Sequence, residues 1–277
     1  MRPVAWVFLS LLSAWAVASG PVSAPTTYHL GNSLTDTLDS WLVAVVEGSG
    51  RAIRFHRTTI PGAPTDWIWD HPGGSFGEKD YRNFLAETPV DHLFTQPFAG
   101  HNRSLENEAE HSLRFLELAR KKNPKVRHWI YAQWPSLKLD DPWSKGEGAV
   151  SGLGLKPAAD WEAAVKNHLA YHEALAKKLE GMDGHRRAVV PGGLALVNLR
   201  RELRSKTFFE DHFADDIHLS DKGRYMVSLV FYAAIFGERP TDRSAYRRAG
   251  LTPEQAAVYQ RVAWQTVQSY RPAGLSR

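Results

Sequence analysis

Short apolar runs alternate along the chain with longer stretches whose apolar residues recur every three or four positions. The first pattern suits strands and the second suits helices that bury one face. Thr27 to Gly31 reads as strand one, and Leu38 to Val46 then takes a helical period. Ile53 to Thr58 reads as strand two, with Arg54, His56 and Thr58 alternating against Ile53, Phe55 and Arg57. Val90 to Gln96 reads as strand three and is followed by a helix from Leu105 to Lys121. Arg127 to Trp134 reads as strand four, ahead of a long helix from Ala158 to Leu179. Ala188 to Pro191 reads as strand five and Leu194 to Arg204 as a short helix. Ser220 is placed to cap a helix that runs to Phe236. A further helix spans Pro253 to Tyr270 within a C-terminal extension, residues 238–277, expected on the outside of the core.

Strands that alternate with helices predict a parallel sheet covered on both faces. The expected fold is a three-layer α/β/α domain of the flavodoxin-like kind with about five parallel strands. Ligands in such sheets bind beyond the carboxyl ends of the strands. Ser33 follows strand one, Gly62 follows strand two and Gln96 ends strand three, so one rim should carry all three. Lys138 to Pro157, rich in Gly, Asp and Lys, exceeds an ordinary connection and reads as a lid or an ordered loop.

The 277 residues suit one large domain or two small ones and can bury a full core. Arg2, the apolar stretch Val4 to Ala16 and the small-x-small site Ala16-Val17-Ala18 read as a secretory signal over residues 1–18, leaving a single domain over 19–277. Val22-Ser23-Ala24 is a second cleavage candidate that Pro25 disfavours. The apolar run is short of the ~20 residues that span a bilayer, so no stable membrane insertion is expected after cleavage. The implied location is secreted or periplasmic. The chain has no cysteine, so its fold rests on packing rather than on disulfides. A net charge of +4 without a Lys/Arg block argues against nucleic acid as a partner.

Two short motifs carry the chemistry. Gly31-Asn32-Ser33-Leu34 follows strand one, and Asp215-Asp216-Ile217-His218 precedes the last core helix. A serine hydroxyl needs a neighbouring base to become a nucleophile, and His218 is the candidate base. Asp215, three residues earlier, can reach the imidazole, set its tautomer and stabilise its protonated form. Asp211 and Asp216 compete for that role, but Asp216 is too near His218 in sequence to reach the ring easily. The oxyanion of a tetrahedral intermediate needs aimed donors. The backbone N–H groups of Ser33 and of Gly62, in Ile60-Pro61-Gly62-Ala63-Pro64, are candidates. A side-chain amide near the end of strand three could be a third, either Gln96 or Asn102.

These blocks resemble those of the SGNH, or GDSL-type, serine hydrolase superfamily over roughly Thr26 to Phe236. The resemblance implies that Ser33 is the nucleophile, Gly62 the glycine donor, and Asp215 with His218 the late catalytic block. Asn32 stands where that superfamily usually has Asp. Gly100-His101-Asn102 matches its Gly-x-Asn block by letter, but Gln96 falls where the amide is expected, and the resemblance favours Gln96.

Other clusters read more plainly. His168 and His172 lie four apart on a helix, but Leu169 replaces the Glu of a His-Glu-x-x-His zinc site, so they are expected to be surface histidines. Trp67, Trp69, Trp134 and Trp143 fall near the rim, where rings can stack on sugars, although packing alone would account for them. Asn102-Arg103-Ser104 is a glycosylation sequon by letter only. The expected function is an exported serine esterase that removes a short acyl group, acetyl by resemblance, from a glycan or other small ester, with no metal or cofactor. A glycan O-acyltransferase with the same triad and a non-catalytic carbohydrate-binding protein remain the alternatives.

Overall fold

The computed structural model describes residues 24–98, 104–140 and 151–275. The signal-like segment, Asn102 and its Gly-x-Asn block, and Trp143 lie outside the described residues.

The apolar runs become six strands: β1 (Thr26–Gly31), β2 (Arg54–Thr59), β3 (Phe76–Gly77), β4 (His92–Thr95), β5 (Arg127–Ala132) and β6 (Ala188–Pro191). Their order in the sheet is β3-β2-β1-β4-β5-β6. The five longer strands are mutually parallel, as expected. The two-residue β3 is an addition to the expected sheet. It pairs antiparallel with β2 through Thr58–Gly77 and Thr59–Phe76 and closes that edge.

Side chains on successive strand residues face opposite sides, and here both sides are apolar. Phe94, Trp129, Tyr131 and Val190 enter one core cluster. Their neighbours Leu93, Ile130, Ala132 and Val189 enter the clusters on the other face. The first face is covered by α1 (Asp39–Gly48), α6 (Gly192–Leu203) and α8 (Asp221–Phe236), with α9 (Pro253–Ser269) packed on α6 and α8. The C-terminal helix therefore adds Tyr259, Val262, Ala263 and Val267 to the main core. The second face is covered by α2 (Thr65–Asp70), α3 (Tyr81–Glu87), α4 (Leu105–Lys122) and α5 (Trp161–Asp183). Burial on both faces explains why Trp129 to Ala132 of β5 and all of β6 are continuously apolar rather than alternating.

α5 serves both layers. Trp161 and Val165 near its start belong to the first core, whereas Leu175, Ala176 and Leu179 belong to the second. This corrects the expectation for His168 and His172, which are buried at 3% and 0% exposure rather than on the surface. His172 bridges the His168 carbonyl and the Gln133 side chain.

Helix starts follow local chemistry. Ser104, Asp160 and Thr252 cap α4, α5 and α9, each accepting a backbone N–H three residues on. Ser220, expected to cap α8, instead donates its hydroxyl to the Asp211 carbonyl (2.6 Å) and ties α8 to α7 (Phe208–His212). No described helix is long and apolar enough to cross a membrane.

Candidate active site

β1 ends at Gly31, and the chain turns at once, with the Thr35 N–H bonded to the Asn32 carbonyl (2.9 Å). The turn is held from inside by Gln96, just past the end of β4. The Gln96 Oε1 accepts from the Asn32 N–H (3.0 Å) and the Thr35 hydroxyl (2.7 Å). Its Nε2 donates to the Asn32 Oδ1 (2.9 Å), which also accepts the Leu34 N–H (3.0 Å). Two backbone donors thus fix the orientation of both amides. Gly31 permits this approach, because a Cβ there would lie 2.1 Å from the Thr35 Oγ1 and 2.5 Å from the Gln96 Oε1. The result is a rigid turn with the Ser33 hydroxyl at the rim.

On the other side of the rim, a short loop between α7 and α8 is closed by an antiparallel bridge, Phe213–Leu219, and by the Ala214 N–H on the His218 carbonyl (2.8 Å). Within it, the Asp215 Oδ1 accepts the N–H groups of Ile217 (2.8 Å) and His218 (2.7 Å). The loop is also tied to the segment after β5. The buried Trp134 donates its indole N–H to the Ile217 carbonyl (2.7 Å), and the Leu137 N–H bonds the Asp216 carbonyl (2.7 Å).

These two loops meet. The His218 Nε2 lies 3.0 Å from the Ser33 Oγ, and the His218 Nδ1 lies 2.8 Å from the Asp215 Oδ2. With Nδ1–H donated to the carboxylate, Nε2 carries the lone pair that can accept the serine proton. Burial pushes the Asp215 carboxyl up, but the His218 and Ile217 N–H groups and the imidazole pull it further down, to about 2. It is therefore ionised across the range in which an imidazole titrates. The competing carboxylates are engaged elsewhere, Asp216 with Lys138 and Asp211 with Lys222 and Thr207.

Ser33, Gly62 and His218 line one open hollow of about 540 Å³, with Pro61, Phe98, Ser136 and the rest of the 215–218 loop. Gly62 has φ +69°, a conformation that only glycine adopts without strain, and nothing stands where its side chain would be. Among the described residues, neither the Ser33 nor the Gly62 backbone N–H has a hydrogen-bond partner. Two donors are therefore available beside the hydroxyl.

Gln96 departs from expectation. It is buried at 1% exposure, does not line the hollow, and spends its amide on the nucleophile turn. Sequence reasoning found its place beside Ser33 but assigned the amide to substrate rather than to Asn32. Asn32, Thr35 and Trp134 were missed as holders of the site. The adjacency of Asn32 to Ser33 was the only available sign for the first. Trp134 is buried, Trp69 packs edge-on to Phe115, and the half-exposed Trp67 stacks on His71.

No protein-family model and no curated protein matches the chain. Its fold is similar to that of a DUF4886 family protein from Bacteroides uniformis, at 16% identity and TM-score 0.66, covering 91% of this chain and 97% of that one. Fainter likenesses include a member of the lipolytic protein G-D-S-L family from Veillonella parvula, at 14% identity, TM-score 0.45, and coverage of 77% and 97%. Another is a family 3 carbohydrate esterase from Clostridium thermocellum, at 14% identity, TM-score 0.46, and coverage of 76% and 94%.

Proposed function

We propose that the protein is an exported serine ester hydrolase that removes a short acyl group, acetyl in the simplest case, from a carbohydrate or other small ester. The observation that carries this reading is the continuous chain from Asp215 through His218 to the Ser33 hydroxyl, at 2.8 and 3.0 Å.

In this reading the Ser33 Oγ attacks the ester carbonyl while the His218 Nε2 takes its proton. The carbonyl oxygen becomes an oxyanion, held by the N–H groups of Ser33 and Gly62. Each such donor contributes about 3 kcal/mol to the transition state. The imidazolium, stabilised by Asp215, then protonates the leaving alcohol. Water, deprotonated by His218, attacks the acyl-serine and releases the acid. The hollow is open and lined by Pro61, Phe98 and Ile217, which suits a small acyl group with its alcohol directed outward.

The test is hydrolysis of an aryl acetate by the wild type and by Ser33→Ala. The expected result is a fall in kcat of at least about 10³-fold in a variant with unchanged Tm. Equal turnover by the two proteins overturns the reading.

A further inference from the structure

At the opposite end of the sheet, the strands begin rather than end. The starts of β5 and β6, with the segments leading into them, enclose a second hollow of about 400 Å³. β5 alone separates it from the Ser33 rim by about 20 Å, the length of a six-residue strand. Its wall includes Arg120, Lys125, Arg127, Arg186 and Arg187, and no Asp or Glu lines it.

Basic surface residues usually find carboxylates, and much of this chain follows that rule. Here the compensation is incomplete. Asp183, just behind the wall, bonds Arg120 (2.9 Å) and Arg187 (2.6 Å). Arg187 is buried, and it is further fixed by donating to the His128 Nδ1 (3.0 Å) and the His185 carbonyl. Among the described residues, no carboxylate pairs with Lys125, Arg127 or Arg186. Arg127 is also held in place. Its guanidinium lies over the ring of the buried Trp129, 4.3 Å from the centroid, and partial burial lowers its pKa from the ordinary value. A cation that is partly desolvated, stacked and lacking a counter-charge is arranged for an anion that comes from outside.

We propose that this hollow is an anion-binding site, separate from the Ser33 rim, for a multiply charged phosphate group such as a diphosphate. Three observations select that class. Guanidinium forks match the paired oxygens of phosphate. Three uncompensated cations leave excess charge after binding a single carboxylate, whereas a diphosphate carries about three negative charges near neutral pH. The volume admits a diphosphate with a substituent to spare. The same chemistry could be presented by a soluble phosphorylated molecule or by a lipid headgroup.

The experiment is calorimetric titration of the full chain with sodium pyrophosphate at fixed ionic strength, beside Arg127→Gln, Arg186→Gln and the double variant. Both substituted positions are remote from Ser33, so aryl-acetate turnover should match the wild type, and Tm measured beside it reports any loss of the Arg127–Trp129 stacking. The expected result is saturable binding near one equivalent, weakened roughly tenfold or more by each substitution and reduced by added salt. No saturable binding, or equal binding by the wild type and the double variant, overturns the proposal. Sedimentation with vesicles containing phosphatidic acid, whose phosphate monoester can carry about two charges, assigns the phosphate to a lipid headgroup when it is lost in the double variant. Pyrophosphate binding without sedimentation assigns it to a soluble ligand.

Discussion

Gln96 is a buried amide that holds the Ser33 turn without facing the hollow. Its oxygen takes two donors from the nucleophile turn, and its nitrogen returns one to Asn32. Gln96→Ala would leave the Asn32 N–H buried without an acceptor, a loss of about 1–3 kcal/mol. The expected outcome is a Tm lowered by roughly 3–10 °C, together with a fall in kcat as Ser33 loses its fixed position. An oxyanion donor would behave differently, losing turnover with Tm unchanged, so thermal melts beside kinetics separate the two roles. The meeting of Ser33, His218 and Asp215 was legible because each sits in a short motif whose chain order agrees with the predicted strands. The task of Gln96 was not, because sequence position shows that a side chain reaches the rim but not what it bonds there. Burial of His168 and His172 was hidden for a related reason: a helix that packs against two layers has no simple polar face.

At the scale of elements, the 215–218 loop depends on the strand beside it. Trp134, two residues beyond β5, donates to the Ile217 carbonyl across the rim. Trp134→Phe keeps most of the packing and removes that hydrogen bond. We expect a folded protein whose kcat falls roughly 10–100-fold with little change in KM, because small displacements of a catalytic group are costly. Steady-state kinetics with an aryl acetate check this, and an unchanged kcat would remove Trp134 from any role in placing His218. The long elements were readable from periodicity, and the described helices begin or end within a few residues of the expected positions. α2, α3, α7 and β3 are too short, at two to seven residues, to display a period. They arise from tertiary packing: Ile68 and Tyr81 are buried in the second core, and β3 exists only by pairing with β2.

For the molecule as a whole, the buried histidines set the response to acid. Burial lowers His92 and His212 to about 4 and takes His29 and His128 well below the ordinary value. Three of them are held neutral by donors that approach a ring nitrogen: the Trp129 indole on His92, the Arg187 guanidinium on His128 and the Tyr259 hydroxyl on His212. In the unfolded chain the same rings protonate below about pH 6.5. Between that pH and about 4 the unfolded state binds more protons, so stability falls as pH falls through this window. At pH 5 such rings are mostly charged in the unfolded chain and neutral in the folded one, so each subtracts from stability. We expect Tm to drop steeply between pH 6.5 and 4.5, with several protons taken up per molecule on unfolding. Calorimetry in buffers of different ionisation enthalpy measures that uptake, and a Tm that is flat over this window would contradict it.

The pairing of Ser33 with His218 also governs timing. The two residues are separated by 185 positions in the chain, so the hydroxyl is made early and its base late. No partial chain that ends before the α7–α8 loop can hold the proton relay, however well its sheet has formed. A partial chain of this kind holds Ser33 without its hydrogen-bond partner, and the chain from Asp215 through His218 to Ser33 is completed only when the last layer docks.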